Sequence, residues 1–202
     1  MKKRSRTKLS RQLGLDLTPK ARKIMADKSY PPGEHGPNRR RGAKMSDYKR
    51  QLLEKQRLRA QYGIDERQMS TYVRKAIRQH GNPADNLVQL LESRLDAVVY
   101  RAGFARTVDA ARQYVSHRHI MVDGRWVNLP AQQVRTGQAI SVKEKSRTLP
   151  VFVSAREEMV AAPPAYLQRD ADSFTVKLLY PPRREEVPVS CEMPLVIEYY
   201  SR

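Results

Sequence analysis

Apolar residues in the middle of the chain recur at helical spacing. Met69, Tyr72, Val73, Ala76 and Ile77 step by three and four residues, the mark of one buried helix face. Asp65, with Gln68 three residues on, is a capping-box pattern that opens this helix. Before it, Ser46 or Asp47 can cap a helix that runs to about Tyr62 and stops at Gly63. Tyr48, Leu52 and Leu53 are expected on its apolar face, with Lys49, Arg50, Lys55, Arg57 and Arg59 around the rest. His80-Gly81-Asn82-Pro83 breaks the chain, and Leu87, Leu90 and Leu91 continue a third stripe. Ser93 with Asp96 caps a fourth helix, in which Leu95, Val98 and Val99 lead to Gly103. Thr107 caps a shorter one, roughly Val108–Ser116, with Ala110, Ala111, Tyr114 and Val115 apolar.

The period then changes from 3.6 to 2. Ile120-Met121-Val122 reads as a strand, Asp123-Gly124 as a two-residue hairpin turn, and Arg125-Trp126-Val127-Asn128 as the returning strand. Val134 to Gln138 turns into a third strand over 139–143, and 174–180 and 195–200 are predicted as further strands. Residues 1–45 show weak periodicity and are rich in Lys, Arg, Gly and Pro. They predict an extended or loosely folded arm, with a short helix around Pro19–Asp27 and a rigid turn over Tyr30-Pro31-Pro32-Gly33-Glu34-His35-Gly36-Pro37. The fold class that follows is α+β, mainly α. A basic N-terminal arm (1–45) leads to a helical domain (46–92) completed by the C-terminal tail. A module with a small β-sheet (93–150) and a β-containing tail (151–202) follow.

Charge changes the picture most. The chain of 202 residues has 39 Lys plus Arg against 21 Asp plus Glu, a net +18. Residues 1–60 hold 19 basic and 5 acidic side chains, whereas residues 151–202 hold 6 and 8. So steep a gradient is the electrostatic footprint of a polyanion partner. A membrane-surface helix would need a broad apolar face opposite the basic one, which residues 1–44 lack, so nucleic acid is the partner expected and no membrane. No stretch approaches the roughly eighteen apolar residues of a membrane span. The opening Met1-Lys2-Lys3-Arg4-Ser5-Arg6 has no apolar run behind it, so it reads as a phosphate-binding arm rather than a secretory signal. Cys191 is the one cysteine, without metal-ligand spacing around it, and reads as a small, partly buried apolar side chain. No P-loop, dinucleotide fingerprint or Gly-x-Ser-x-Gly elbow occurs, which argues against an enzyme.

Ser93-Arg94-Leu95-Asp96, Val98-Val99-Tyr100-Arg101, Gly103-Phe104-Ala105, Ala111-Arg112-Gln113 and His119-Ile120, with Val122, Gly124, Val127, Pro130, Val134, Gly137 and Ile140, resemble the S4-type (alpha-L-like) RNA-binding module. That module also occurs in pseudouridine synthases and tyrosyl-tRNA synthetases, so the flanks decide. Tyr30 to Gly36 is similar to the Pro-Pro-Gly-x-His-Gly motif of the bacterial-type small-subunit ribosomal protein S4 family. Ser46-Asp47-Tyr48, Tyr62-Gly63-Ile64, Glu144-Lys145-Ser146-Arg147 and Ile197-Glu198-Tyr199-Tyr200-Ser201-Arg202 resemble the same family. An RNA-modifying enzyme borrowing the module would need a separate catalytic domain, for which residues 151–202 are too few. A free RNA chaperone is the remaining rival.

The resemblance implies a cytoplasmic structural constituent of the small ribosomal subunit, with no catalytic role and no cofactor. It implies binding to the 5′ domain of small-subunit ribosomal RNA early in assembly, helping to nucleate the subunit body, and a contribution to translational accuracy. The partners implied are ribosomal protein S5, other small-subunit proteins and mRNA where it enters the subunit. Many family members carry four N-terminal cysteines that bind zinc; residues 1–45 have none, so no metal site is expected. Val108 and Asp109 stand where two basic residues are common, and Arg118 where glycine is common.

The RNA-binding candidates are Arg39, Arg40, Arg41, Lys49, Arg50, Lys55, Arg59, Arg94, Arg101, Arg106, Arg112, His117, Arg118, His119 and Arg125. Arginine suits RNA because its planar fork holds phosphate bidentately and stacks on bases. About half of the module's arginines are expected to touch RNA, others pairing with Asp96, Asp109 or Asp123. His117 and His119 alternate at a strand entrance and should point the same way, toward RNA or into packing. Tyr30 and Trp126 are the better stacking candidates, Tyr48, Tyr62, Tyr72 and Tyr100 being expected in the core.

Overall fold

The computed structural model describes residues 5–37, 45–157, 162–170 and 173–201. In chain order the helices and strands are α1 (Arg6–Leu13), α2 (Pro19–Asp27), α3 (Asp47–Tyr62), α4 (Glu66–Arg78), α5 (Pro83–Glu92), α6 (Leu95–Arg101), α7 (Val108–Ser116), β1 (Ile120–Val122), β2 (Arg125–Trp126), β3 (Ala139–Val142), α8 (Glu144–Arg147), α9 (Pro150–Glu157), β4 (Leu167–Asp170), β5 (Thr175–Leu178) and α10 (Met193–Tyr200). The fold is mixed α+β and mostly helical, with one small antiparallel sheet. Two compact units divide it, residues 1–71 with 189–202, and residues 72–188.

In the first unit α3 is the centre. Ser46 Oγ accepts from the Lys49 amide at 3.4 Å, which satisfies one of the open N–H groups at the helix start. The face that α3 buries is Gln51, Glu54, Lys55, Leu58 and Tyr62, not the expected Tyr48, Leu52 and Leu53; Tyr48 is 51% exposed. A polar face can be buried here because the last helix brings partners for it. Gln51 donates to Glu198 at 2.9 Å, and Glu54 accepts from the Glu192 amide at 3.0 Å.

That last helix corrects the expectation of a strand over 195–200. Valine, isoleucine and paired tyrosines favour strands locally, but helical spacing is what buries Met193 and Val196 together and carries Tyr199 and Tyr200 to Lys55 and Glu66. Pro194 lies in the first turn, where its missing N–H costs nothing.

Residues 5–37, expected to be loosely folded apart from one helix, carry two. α2 has the expected bounds, with Thr18 Oγ1 accepting from the Ala21 amide at 3.1 Å. α1 is fastened to α3 by its ends: Arg6 donates to the Ala60 carbonyl at 3.1 Å, Arg57 to the Leu13 carbonyl at 3.1 Å, and Leu13 is buried. Arg11 donates to the Tyr30 carbonyl at 3.1 Å and lies over its ring. In the turn beyond, a Cβ on Gly36 would be driven into the Pro31 carbonyl, so the last glycine of the Pro-Pro-Gly-x-His-Gly segment is a steric requirement.

The second unit sets α5, α6 and α7 beside a sheet of order β2-β1-β3-β5-β4, every neighbour antiparallel. Leu87, Leu91, Leu95, Val98, Val99, Ala111 and Val115 supply the helical side of the core, and Ile120, Val122, Ile140, Val142 and Val176 the strand side. α7 has the expected bounds and its Thr107 cap. Asp123 and Gly124 have φ of 48° and 79°, which makes the two-residue turn that pairs Val122 with Arg125. β5 falls within the strand expected over 174–180, whereas β4 and α8 and α9 come without a periodic signal. Ile77, expected on the buried face of α4, is 45% exposed.

Candidate nucleic-acid interface

The candidate cations separate by burial. Arg94 is fully buried. Its Nε and Nη2 donate to the two Asp96 carboxylate oxygens at 2.9 and 2.5 Å, and Nη1 donates to the Tyr72 hydroxyl at 2.9 Å. Burial works against its charge, but the Asp96 hydrogen bonds and charge outweigh that and hold the guanidinium above its ordinary pKa. Arg101 grips Glu92 with Nε and Nη2, the closest contact being 2.8 Å, and Glu92 also accepts from the Tyr166 hydroxyl at 2.8 Å. These two clusters tie the module together from inside.

Lys55 behaves in the same way in the first unit. It is 4% exposed, bonds Glu66 at 3.1 Å and lies 4.2 Å from the centre of the Tyr199 ring. Arg59 pairs with Glu66 at 2.8 Å, and Tyr200 donates to the same carboxylate at 2.6 Å. Burial pushes the Glu66 pKa up, yet the Tyr200 hydroxyl, Lys55 and Arg59 together bring it below the ordinary value. Of the RNA-binding candidates, Arg94 and Lys55 do not present their charge to solvent, and Arg59 and Arg101 pair with carboxylates.

The cations left at the surface are Lys49 and Arg50, on the first turn of α3, and a second set around α7. Arg106, His117, Arg118 and Arg125 are exposed and Arg112 is half-buried. Arg39, Arg40 and Arg41 lie outside the described residues.

The α7–β1 junction gives this second set its geometry. Arg118 has φ 62°, the left-handed region, which explains why glycine is common there. Its guanidinium lies 4.3 Å from the Trp126 ring centre. His117 and His119 have ring centres 6.1 Å apart but different surroundings. His117 is exposed, while His119 is half-buried against Tyr114 and Phe152, with Nδ1 2.9 Å from Ser146 Oγ. Burial, with the charges of His117 and Lys143, holds the His119 pKa below its ordinary value. Lys143 and Lys145, both exposed, were not among the candidates. The signal that could have found Lys143 is its position directly after β3, where its amide bonds the His119 carbonyl at 2.8 Å.

Among the described residues no group of His, Cys, Asp and Glu could hold a metal ion, and no helix is long and apolar enough to cross a membrane. Cys191 is half-buried, its thiol 3.3 Å from the Met193 sulfur.

A small helix pair backed by an antiparallel sheet, with Glu92 and Asp96 paired inside and arginines and a histidine outside, fits the class of RNA-binding modules. Comparison with known proteins agrees. Residues 1–92 match the ribosomal protein S4/S9 N-terminal domain and residues 93–140 the S4 domain. The chain is 47% identical over 201 residues to the small ribosomal subunit protein uS4 of Tropheryma whipplei (strain Twist), covering 98% of this chain and 97% of that one. It is 50% identical over 202 residues to the protein of the same name from Leifsonia xyli subsp. xyli (strain CTCB07), and 51% over 201 residues to that of Paenarthrobacter aurescens (strain TC1), with the same coverage. The chain belongs to the bacterial-type ribosomal protein S4 (uS4) family. It is a structural, rRNA-binding ribosomal protein and not an enzyme.

Proposed function

We propose that this chain works in the cytoplasm, in the small ribosomal subunit. There it binds the 5′ domain of small-subunit rRNA early in assembly and helps to nucleate the subunit body. It is a structural, rRNA-binding component of that subunit, and its relatives are named as small ribosomal subunit proteins. The observation that carries the reading is the sorting of cations by exposure. Arg94 and Lys55 are buried, while Arg106, His117, Arg118 and Arg125 are exposed around α7 and the β1–β2 turn, with Arg112 half-buried among them and Lys49 and Arg50 exposed on α3. Partners that the family resemblance supports are ribosomal protein S5, other small-subunit proteins and mRNA where it enters the subunit, with a contribution to translational accuracy.

Affinity for a 5′-domain rRNA fragment relative to an unrelated RNA of equal length tests this reading. Reversing charge at Arg106, Arg112 and Arg118 should lower mainly the cognate affinity, because contacts from a folded surface set register while general positive charge adds attraction to any RNA. A triple variant that folds and keeps its full preference for the cognate fragment would move the recognition surface elsewhere.

A further inference from the structure

Trp126 is the only tryptophan in the chain, and it is 58% exposed. Its place is set by the backbone. The Asp123-Gly124 turn fixes the register, Trp126 pairs with Met121 and Met121 with Ser141. The indole therefore stands on the sheet face opposite the buried row of Ile120, Val122, Ile140 and Val142. Arg118 covers one of its faces at 4.3 Å. An indole with one face covered that remains 58% exposed has its other face open to solvent.

The guanidinium on this ring has no carboxylate partner: Arg118 forms no ion pair among the described residues, and His117, its neighbour in the chain, is exposed. The nearest acid in sequence, Asp123, is already engaged: its carboxylate accepts from Gln138 Nε2 at 2.7 Å and from the Ala139 amide at 2.9 Å. What fits a flat open ring backed by a guanidinium that no described carboxylate pairs is a second flat ring that carries phosphate. In duplex RNA the base faces are stacked on one another, so only an unpaired nucleotide can offer one.

We propose that Trp126, held by Arg118, is a stacking site for an unpaired nucleobase of RNA, with Arg118 taking the flanking phosphate. The proposal rests on the reading that this unit faces RNA. It adds a contact to base faces where the surface cations supply contacts to the backbone.

Because the tryptophan is unique, emission of the unaltered full chain reports on this site alone. It is titrated at low salt with a single-stranded oligoadenylate, with an abasic strand of equal phosphate count and with a blunt RNA duplex of equal length. The expected result is strong quenching by oligoadenylate and little by the other two. Trp126→Ala should weaken single-strand binding by roughly five- to a hundredfold, Trp126→Phe should recover most of it, and duplex affinity should stay within about twofold. Equal quenching by the abasic strand would overturn the proposal, leaving a phosphate site only. Absence of quenching while the chain still binds the rRNA fragment would overturn it too and leave the RNA reading standing. Failure to bind the rRNA fragment as well would sink both.

Discussion

Arg94 shows how far a basic residue can be read from its type. It lies at the start of α6 in a segment that resembles an RNA-binding module, and phosphate was the natural partner to expect. The alternative, pairing with Asp96 two residues on, is what the fold uses, and the third partner, Tyr72, is 22 positions away and invisible to local reading. Removing one member of a buried pair leaves the other charged and unsolvated, which costs about 3–5 kcal/mol. Arg94→Met, which keeps the volume and deletes the charge, is thus expected to lower the urea midpoint strongly. Asp96→Asn should do the same, because the guanidinium would then be the uncompensated charge. A variant of Arg94 with unchanged stability and weakened RNA binding would restore the reading of a surface contact. Arg118 is the converse case. The departure from glycine was legible in the sequence, but the ring it covers, eight residues further on across a hairpin, became visible only in the fold.

At the scale of elements, legibility followed whether a segment buries its own periodic face. α4 from Met69 to Ala76, α7 with its Thr107 cap and β1 before the Asp123-Gly124 turn bury apolar positions at a clean period and stand where the pattern placed them, whereas β2, expected over Arg125 to Asn128, is exposed and stops at Trp126. α10 does not announce itself in this way. Its sequence, Met-Pro-Leu-Val-Ile-Glu-Tyr-Tyr, favours a strand, and it becomes a helix because α3 offers Gln51, Glu54 and Lys55 as a face to be satisfied. The buried face of α3 was missed for the same reason, since a polar stripe gives no hydrophobic signal. Tyr200 tests the pairing. Its hydroxyl bonds the Glu66 carboxylate, which also holds Lys55 and Arg59. A hydrogen bond to a charged group contributes about 1.5–3 kcal/mol, and because the Glu66 side chain is 46% exposed the lower end applies. Tyr200→Phe should therefore shift the denaturant midpoint modestly while leaving the helix content unchanged. A loss of helix content would mean that the hydroxyl, and not the apolar contact of Met193 and Val196, decides whether α10 forms.

At the scale of the whole molecule, the count of 39 Lys and Arg side chains overstates what is offered to RNA, because some of them are paired internally with carboxylates. Arg94, Arg101, Lys55 and Arg59 each have a carboxylate partner; Lys49, Arg50 and Arg118 are exposed and Arg112 is half-buried. Binding that releases counterions from RNA makes log affinity fall linearly with log salt, by about 0.7–0.9 for each phosphate neutralised. Six such contacts would give a slope of about −4 to −5 for the intact chain on its rRNA fragment. The two classes of cation can then be told apart without a structure of the complex. Replacing Lys49, Arg50, Arg112 or Arg118 singly by alanine should reduce the slope by nearly one contact each. Replacing Lys55 or Arg94 by methionine should leave the slope of the folded fraction unchanged and show its effect in the denaturant midpoint instead. A slope that drops equally for both classes would mean that the interior pairs open when RNA binds, and the sorting by burial would no longer describe the bound state.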